Sequence, residues 1–263
     1  MSSTPSVPMP PDQRNGPRPK VMFLLGAGAS FGSDEETVVP PLGAQLFDAL
    51  RKHSRVWADI PDEAAEIFRN PERPFELGFA ALAAQNDAAL PQLLREMALY
   101  FLQFRPGPEN AYRTFARKIP NGACVATLNY DLMFDIVAHE LLGMPYERTK
   151  ILKLHGAPNI LPHRSFKFIN DGSSHYETLY KGPVEVLSPG DAIAGNASGE
   201  RLCPCMALYA PGKRVILAPS VAEEAQKVFA DIVFRSDFVV VVGVSYVEDD
   251  NHIWVASRKL THA

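Results

Sequence analysis

Two runs of consecutive apolar residues, Val21–Leu25 and Phe238–Val242, each stop at a glycine. That pattern constrains the fold more than any other feature of the chain. A strand with one wet face alternates apolar and polar residues, whereas an unbroken apolar run suits a parallel strand covered on both faces by helices. Three further apolar segments end in a short polar or turn-forming signature: residues 123–128 before Asn129-Tyr130-Asp131, residues 151–154 before His155-Gly156, and residues 215–218 before Pro219-Ser220. Helical sequence lies between them, so an α/β architecture with a parallel sheet flanked by helices is expected. Open sheets of this kind bind ligands beyond the carboxyl ends of their strands. All five signatures fall there.

The chain has 263 residues, 46% of them hydrophobic, enough for one large domain carrying insertions. Residues 1–19, rich in Pro and Ser, are expected to be a disordered tail. The domain then occupies 20–263, with a helical insertion at about 55–120 and an irregular one at about 157–211. Helices are expected at 43–53, 61–70, 74–85, 90–104, 111–118, 132–142, 221–235 and 249–260. Ser220 is the expected N-cap of the helix after it, with Glu223 as its capping-box partner.

A net charge of −4 gives no electrostatic footprint for nucleic acid or an anionic membrane. No apolar run is long enough to suggest a transmembrane helix. The three cysteines, Cys124, Cys203 and Cys205, make no disulfide framework, and a reducing cytoplasmic setting is expected. The pair Cys203-Pro204-Cys205 has the wrong spacing for a closed zinc site, so no metal is expected.

The signatures each carry a chemical reading and a structural one. Gly26-Ala27-Gly28-Ala29-Ser30 lets backbone approach a pyrophosphate, or simply makes a tight strand-to-helix turn; Phe31 stands where a third fingerprint glycine is usual. Asn129 and Asp131 are candidates for a site, and either suits a helix N-cap. His155 at a strand end is placed to act as a base. Ser245, after Gly243, can donate to a phosphate or ribose oxygen or be a turn residue, and Asp249-Asp250 most simply caps the last helix.

Taken in order, G-A-G-A-S, T-L-N-Y-D, L-H-G, A-P-S and V-V-G-V-S-Y resemble the sirtuin-like NAD-binding family, and its bacterial defence-associated branch more than the protein deacylases. The resemblance runs from about Val21 to Leu260 and skips both insertions. It implies a Rossmann-like sheet that takes NAD+ as substrate. The first glycine motif (Gly26, Ala27, Gly28, Ser30) would meet the pyrophosphate. Asn129 and Asp131 would lie by the nicotinamide ribose, His155 by the ribose hydroxyls, and Gly243 with Ser245 on the adenosine side. Three departures separate the chain from deacylases: there is no four-cysteine zinc module, Leu128 stands where Gln is usual, and the Gly-Ile-Pro-x-Phe-Arg run is missing.

The implied activity is hydrolysis of the nicotinamide–ribose bond in anti-phage defence, with Asn129 and His155 catalytic. The alternatives are an NAD-dependent deacylase or ADP-ribosyltransferase, and a non-catalytic sensor of NAD or ADP-ribose. The expected partner is a small-molecule nucleotide, with neither nucleic acid nor membrane. A homo-oligomer or a regulatory protein partner stays open.

Overall fold

The computed structural model describes residues 20–69, 75, 78–79, 81–82, 89–148, 150–163, 182–199, 203–206, 219–245 and 253–254. They fall into two compact units. One is built from described residues within 41–103 and 156–219, the other from those within 20–40, 104–155 and 220–254.

The second unit holds the parallel sheet. Strand β1 is Val21–Leu25, β2 Cys124–Thr127, β3 Ile151–Lys153 and, after two short strands of the other unit, β6 Phe238–Val242. Their spatial order is β3-β2-β1-β6, and all neighbours run parallel. Numbered along the chain among the described residues, these four strands read 3-2-1-4. That is one side of a doubly wound sheet together with its switch point, between β1 and β6. The fold is therefore the expected Rossmann-like parallel sheet flanked by helices.

Both faces of β1 are covered, which is why its sequence does not alternate. Met22 and Leu24 face helix α9, Pro219–Arg235, and pack with Ala126, Leu152 and Leu154 against Ala225, Val228, Phe229, Ile232 and Val233. The spacing of those helical residues makes one apolar stripe. Burying a side chain such as Phe229 or Ile232 contributes about 1.5–3 kcal/mol. On the opposite face Phe23 meets Phe115 of helix α6 (Ala111–Lys118) edge-on at 4.9 Å, and Phe115 lies 5.3 Å from Phe134 of α7 (Met133–Leu142). Helix α7 stops at Gly143, whose φ of +63° suits a left-handed C-terminal position.

The other unit packs α2 (Gly43–His53), α3 (Arg55–Ala58), α4 (Asp62–Phe68) and α5 (Leu90–Phe101) around aromatic rings. Phe47 stacks on Phe68 at 4.3 Å, and the buried Trp57 stands edge-on to both. The Trp57 indole N–H donates to Leu93 O at 3.2 Å. Within the segment expected to be irregular, the structure instead shows an antiparallel pair, β4 (Ile160–Pro162) and β5 (Val184–Val186), and helix α8, Pro189–Ala197. Ser188 caps α8 by accepting from Asp191 N, and Pro189 opens it. The Gly, Pro and Ser content that suggested loop is here the punctuation of a helix start.

Helix α9 begins at Pro219, so Ser220 lies inside its first turn rather than before it. The tail at 1–19, most of the helix expected at 74–85, the strand expected at 215–218 and most of the helix expected at 249–260 lie outside the described residues.

At the switch point three glycines interlock. Gly26 N–H donates to Val242 O and Gly28 N–H to Gly243 O, both at 2.9 Å. A Cβ on Gly26 would come within 2.5 Å of Gly243 O, and one on Gly28 within 2.9 Å of Gly243 Cα. Gly243 has φ +63°, and its Cβ would stand 2.1 Å from Ala29 N. A side chain at 243 therefore meets both left-handed strain and a backbone collision. Gly243→Ala is expected to lower stability by at least about 1–3 kcal/mol, measured by chemical denaturation, whereas alanine at the open, exposed Gly43 should cost nothing measurable. Equal stability of the two variants would refute the interlock.

Candidate functional site

The carboxyl ends of β1 and β2 bring the predicted residues Ser30, Asn129 and Asp131 into one buried cluster. Helix α1, Ala27–Phe31, starts directly after Gly26 and points Ser30 inward, where it is fully buried. Beyond β2, Thr127 Oγ1 donates to Leu25 O at 3.3 Å and accepts from Asn129 N at 3.0 Å. This fixes the backbone of Asn129.

The Asn129 carboxamide then donates both its protons. Nδ2 lies 2.9 Å from Gly26 O and 2.9 Å from Ser30 Oγ. A flipped amide would set its carbonyl against Gly26 O, two acceptors face to face, so the orientation is determined. The consequence is an open acceptor. Asn129 Oδ1 is buried and has no hydrogen-bond partner among the described residues. Leaving such a group unsatisfied costs about 1–3 kcal/mol, which a donor from a ligand or a water recovers.

Asp131 is buried, and its Oδ1 accepts from Met133 N at 3.0 Å. Of the two candidate caps it is therefore Asp131, not Asn129, that serves the first turn of α7. Burial pushes its carboxyl up, opposed by the Met133 amide, the Lys153 charge and a hydrogen bond from Ser30. Lys153 Nζ makes a buried ion pair with Asp135 Oδ2 at 2.5 Å and stands 3.5 Å from Asp131 O. That pair ties β3 to α7.

His155 follows β3 and is 2% exposed. Its ring lies 6.5 Å from that of Tyr130, so it occupies the strand end beside the Asn129 loop. Gln226 of α9 donates to Leu154 O at 2.9 Å and holds the preceding residue. The adjacent Gly156 has φ +73°, and a Cβ there would meet Cys205 O at 1.9 Å. Close passage of the Cys203–Met206 backbone thus accounts for the glycine after the histidine. Cys203 and Cys205 are buried free thiols, and burial pushes that of Cys203 up to about 12. Among the described residues no group of three or more His, Cys, Asp and Glu is arranged to hold a metal.

Gly26 and Gly28 lie in the turn with their amides committed to β6, while Ala27 is exposed beside them. Gly243 packs on that turn, and Ser245 lies exposed two residues further on. Phe31 projects outward at 42% exposure. Asp249 and Asp250 lie outside the described residues.

Sequence reasoning missed Tyr112. Its hydroxyl, buried on α6, is 2.8 Å from Ser30 Oγ. Burial raises its pKa, and the charges of Asp131 and Asp135 raise it further, so the phenol keeps its proton. The available signal was Asn110, an N-cap residue just before the helix, which accepts from Tyr112 N at 3.0 Å.

Asp34 was also missed. Its carboxylate accepts from Glu36 N and Thr37 N on one oxygen, and from Gly107 N at 2.8 Å and Asn110 Nδ2 at 3.2 Å on the other. The loop after α1 is thereby stitched to the start of α6.

No protein-family model and no curated protein matches the chain. Among solved structures, three ADP-ribose complexes of Sir2 homologue mutants are similar to it. They share 15%, 16% and 15% sequence identity with it, each at a TM-score of 0.41. The alignments cover 92%, 92% and 93% of this chain and 77%, 77% and 78% of theirs. No helix among the described residues is long and apolar enough to cross a membrane.

Burial opposes ionisation of Asp34, but hydrogen bonds from Thr37, Glu36, Gly107 and Asn110 prevail and hold its carboxyl well below the usual carboxylate range. A lowered folded-state pKa means that the unfolded chain binds the proton first. The stabilisation is therefore present above about pH 4 and lost as pH falls. Asp34→Asn is expected to flatten the decline in stability below about pH 4, measured by denaturant unfolding at stepped pH. Parallel curves for variant and wild type would contradict this role.

Proposed function

We propose that the chain hydrolyses NAD+ at the nicotinamide–ribose bond, releasing nicotinamide and ADP-ribose. The observation that carries the reading is the open, buried Oδ1 of Asn129, held by the first glycine turn at the switch point of the sheet. That is the place where doubly wound sheets receive nucleotides. An orphaned acceptor there suits a ribose hydroxyl or a water held for attack.

In this reading the pyrophosphate lies beside the turn of Gly26, Ala27, Gly28 and Ser30, on its exposed Ala27 side, because the Gly26 and Gly28 amides already bond Val242 and Gly243. Gly243 and Ser245 lie toward the adenosine. Cleavage of the bond to nicotinamide leaves an oxocarbenium-like ribose, as in other glycosidic cleavages. Asn129 Oδ1 orients the ribose or the attacking water, and His155 orients a hydroxyl or takes its proton. Asp131, whose Oδ1 accepts from Met133 N, hydrogen-bonds the nicotinamide amide in this reading. Tyr130 or Phe31 shields the site. The resemblance carries the rest of the proposal, a cytoplasmic enzyme of anti-phage defence whose partner is a nucleotide rather than a metal.

Incubating the purified full chain with NAD+ and separating the products tests this directly. Wild type is expected to yield nicotinamide and ADP-ribose without any acylated peptide. Asn129→Ala and His155→Ala are each expected to lose at least about 100-fold in kcat while keeping the fold. Release that strictly needs an acylated peptide would replace the reading by a deacylase. Tight binding with no product would replace it by a sensor. Full activity of Asn129→Ala would end it.

A further inference from the structure

We propose that Tyr112 is a positioning residue that fixes the Asn129 carboxamide through Ser30, so that Asn129 presents an acceptor and never a donor to the ligand. The inference rests on the NAD+ site proposed above, but its geometry stands apart from any ligand. Three hydroxyl and amide groups form a short chain: Tyr112 Oη to Ser30 Oγ at 2.8 Å, and Ser30 Oγ to Asn129 Nδ2 at 2.9 Å.

Proton accounting fixes its direction at the Asn129 end. Asn129 Nδ2 has no acceptor capacity, so it donates to Ser30 Oγ. Ser30 Oγ and Tyr112 Oη bond each other at the far side, where either hydroxyl can be the donor. The chain ends in the open Oδ1 of Asn129. Any donor group of the ligand, such as a ribose hydroxyl, meets an oxygen already locked in place.

Tyr112 itself is held independently of this chain. Asn110, fully buried, caps its helix and bonds Ser33 Oγ at 3.0 Å and Asp34 Oδ2 at 3.2 Å. Ala111 N donates to Ser33 O. The Tyr112 ring packs 5.5 Å from Phe134. Removing the hydroxyl alone therefore leaves the ring and helix anchored. It frees Ser30 and Asn129 to take other rotamers.

The test is Tyr112→Phe in the full protein, with Ser30→Ala removing the middle link of the same hydrogen-bond chain. Two readouts are taken: steady-state NAD+ hydrolysis, and hydrogen exchange of the Asn129 side-chain amide in isotopically labelled protein without ligand. Tyr112→Phe is expected to lower kcat roughly tenfold with KM within about threefold, the signature of lost orientation rather than lost binding. Asn129 amide exchange is expected to speed up in both variants. Unchanged kcat and unchanged exchange in either folded variant would overturn the inference. If wild type shows no NAD+ turnover, the proposed function has failed, and the exchange readout alone decides the role of Tyr112. Faster exchange supports it and equal exchange refutes it.

Discussion

Close contact between two backbones, the turn after β1 and the end of β6, is the constraint on which the rest of the second unit depends. Gly26 and Gly28 donate to Val242 and Gly243, and no Cβ fits at any of the three glycines. The contact aligns β1 with β6 at the switch point. It also brings the carbonyl of Gly26 to where Asn129 can donate to it. A turn splayed by one side chain would shift Gly26 O, and the carboxamide would lose the partner that sets its orientation.

The site then follows as a set of obligations to satisfy buried polar groups. Thr127 fixes the backbone of Asn129, Gly26 and Ser30 take its two protons, and Tyr112 secures Ser30. Asp131 satisfies the first amide of α7, and the Lys153–Asp135 pair ties that helix to β3. Within the Ser30–Asn129–Asp131 cluster one buried acceptor, Asn129 Oδ1, has no partner among the described residues. An unsatisfied group in a well-bonded interior calls for a cause, and a ligand or a bound water supplies one.

Much of the sheet was legible from its apolar runs, although the two-sided cover expected of them holds for β1 and not for β6, where Phe238, Val240, Val241 and Val242 are exposed. The apolar runs at Val21–Leu25 and Phe238–Val242 match the strands residue for residue, as do the helices at Gly43–His53 and Ala111–Lys118. The glycine motif was legible as a close backbone approach, but not what approaches. A strand more than 200 residues away along the chain fills that space. Tyr112 and Asp34 were not legible, since a tyrosine on an amphipathic helix and an aspartate in a polar loop look ordinary until their long-range partners are known. The His155-Gly156 pair read as one motif but answers to two causes: a strand end for the histidine, and the backbone of Cys205 for the glycine.

Titrating isotopically labelled full chain with ADP-ribose, and following amide and side-chain resonances, tests the central claim most directly. The account predicts saturable shifts at Ala27, Ser30, the Asn129 side chain, His155 and Ser245, with the largest at the Asn129 amide as its carbonyl gains a donor. Shifts confined to the opposite end of the sheet, around Gly122 and Lys150, or none at all, would contradict it.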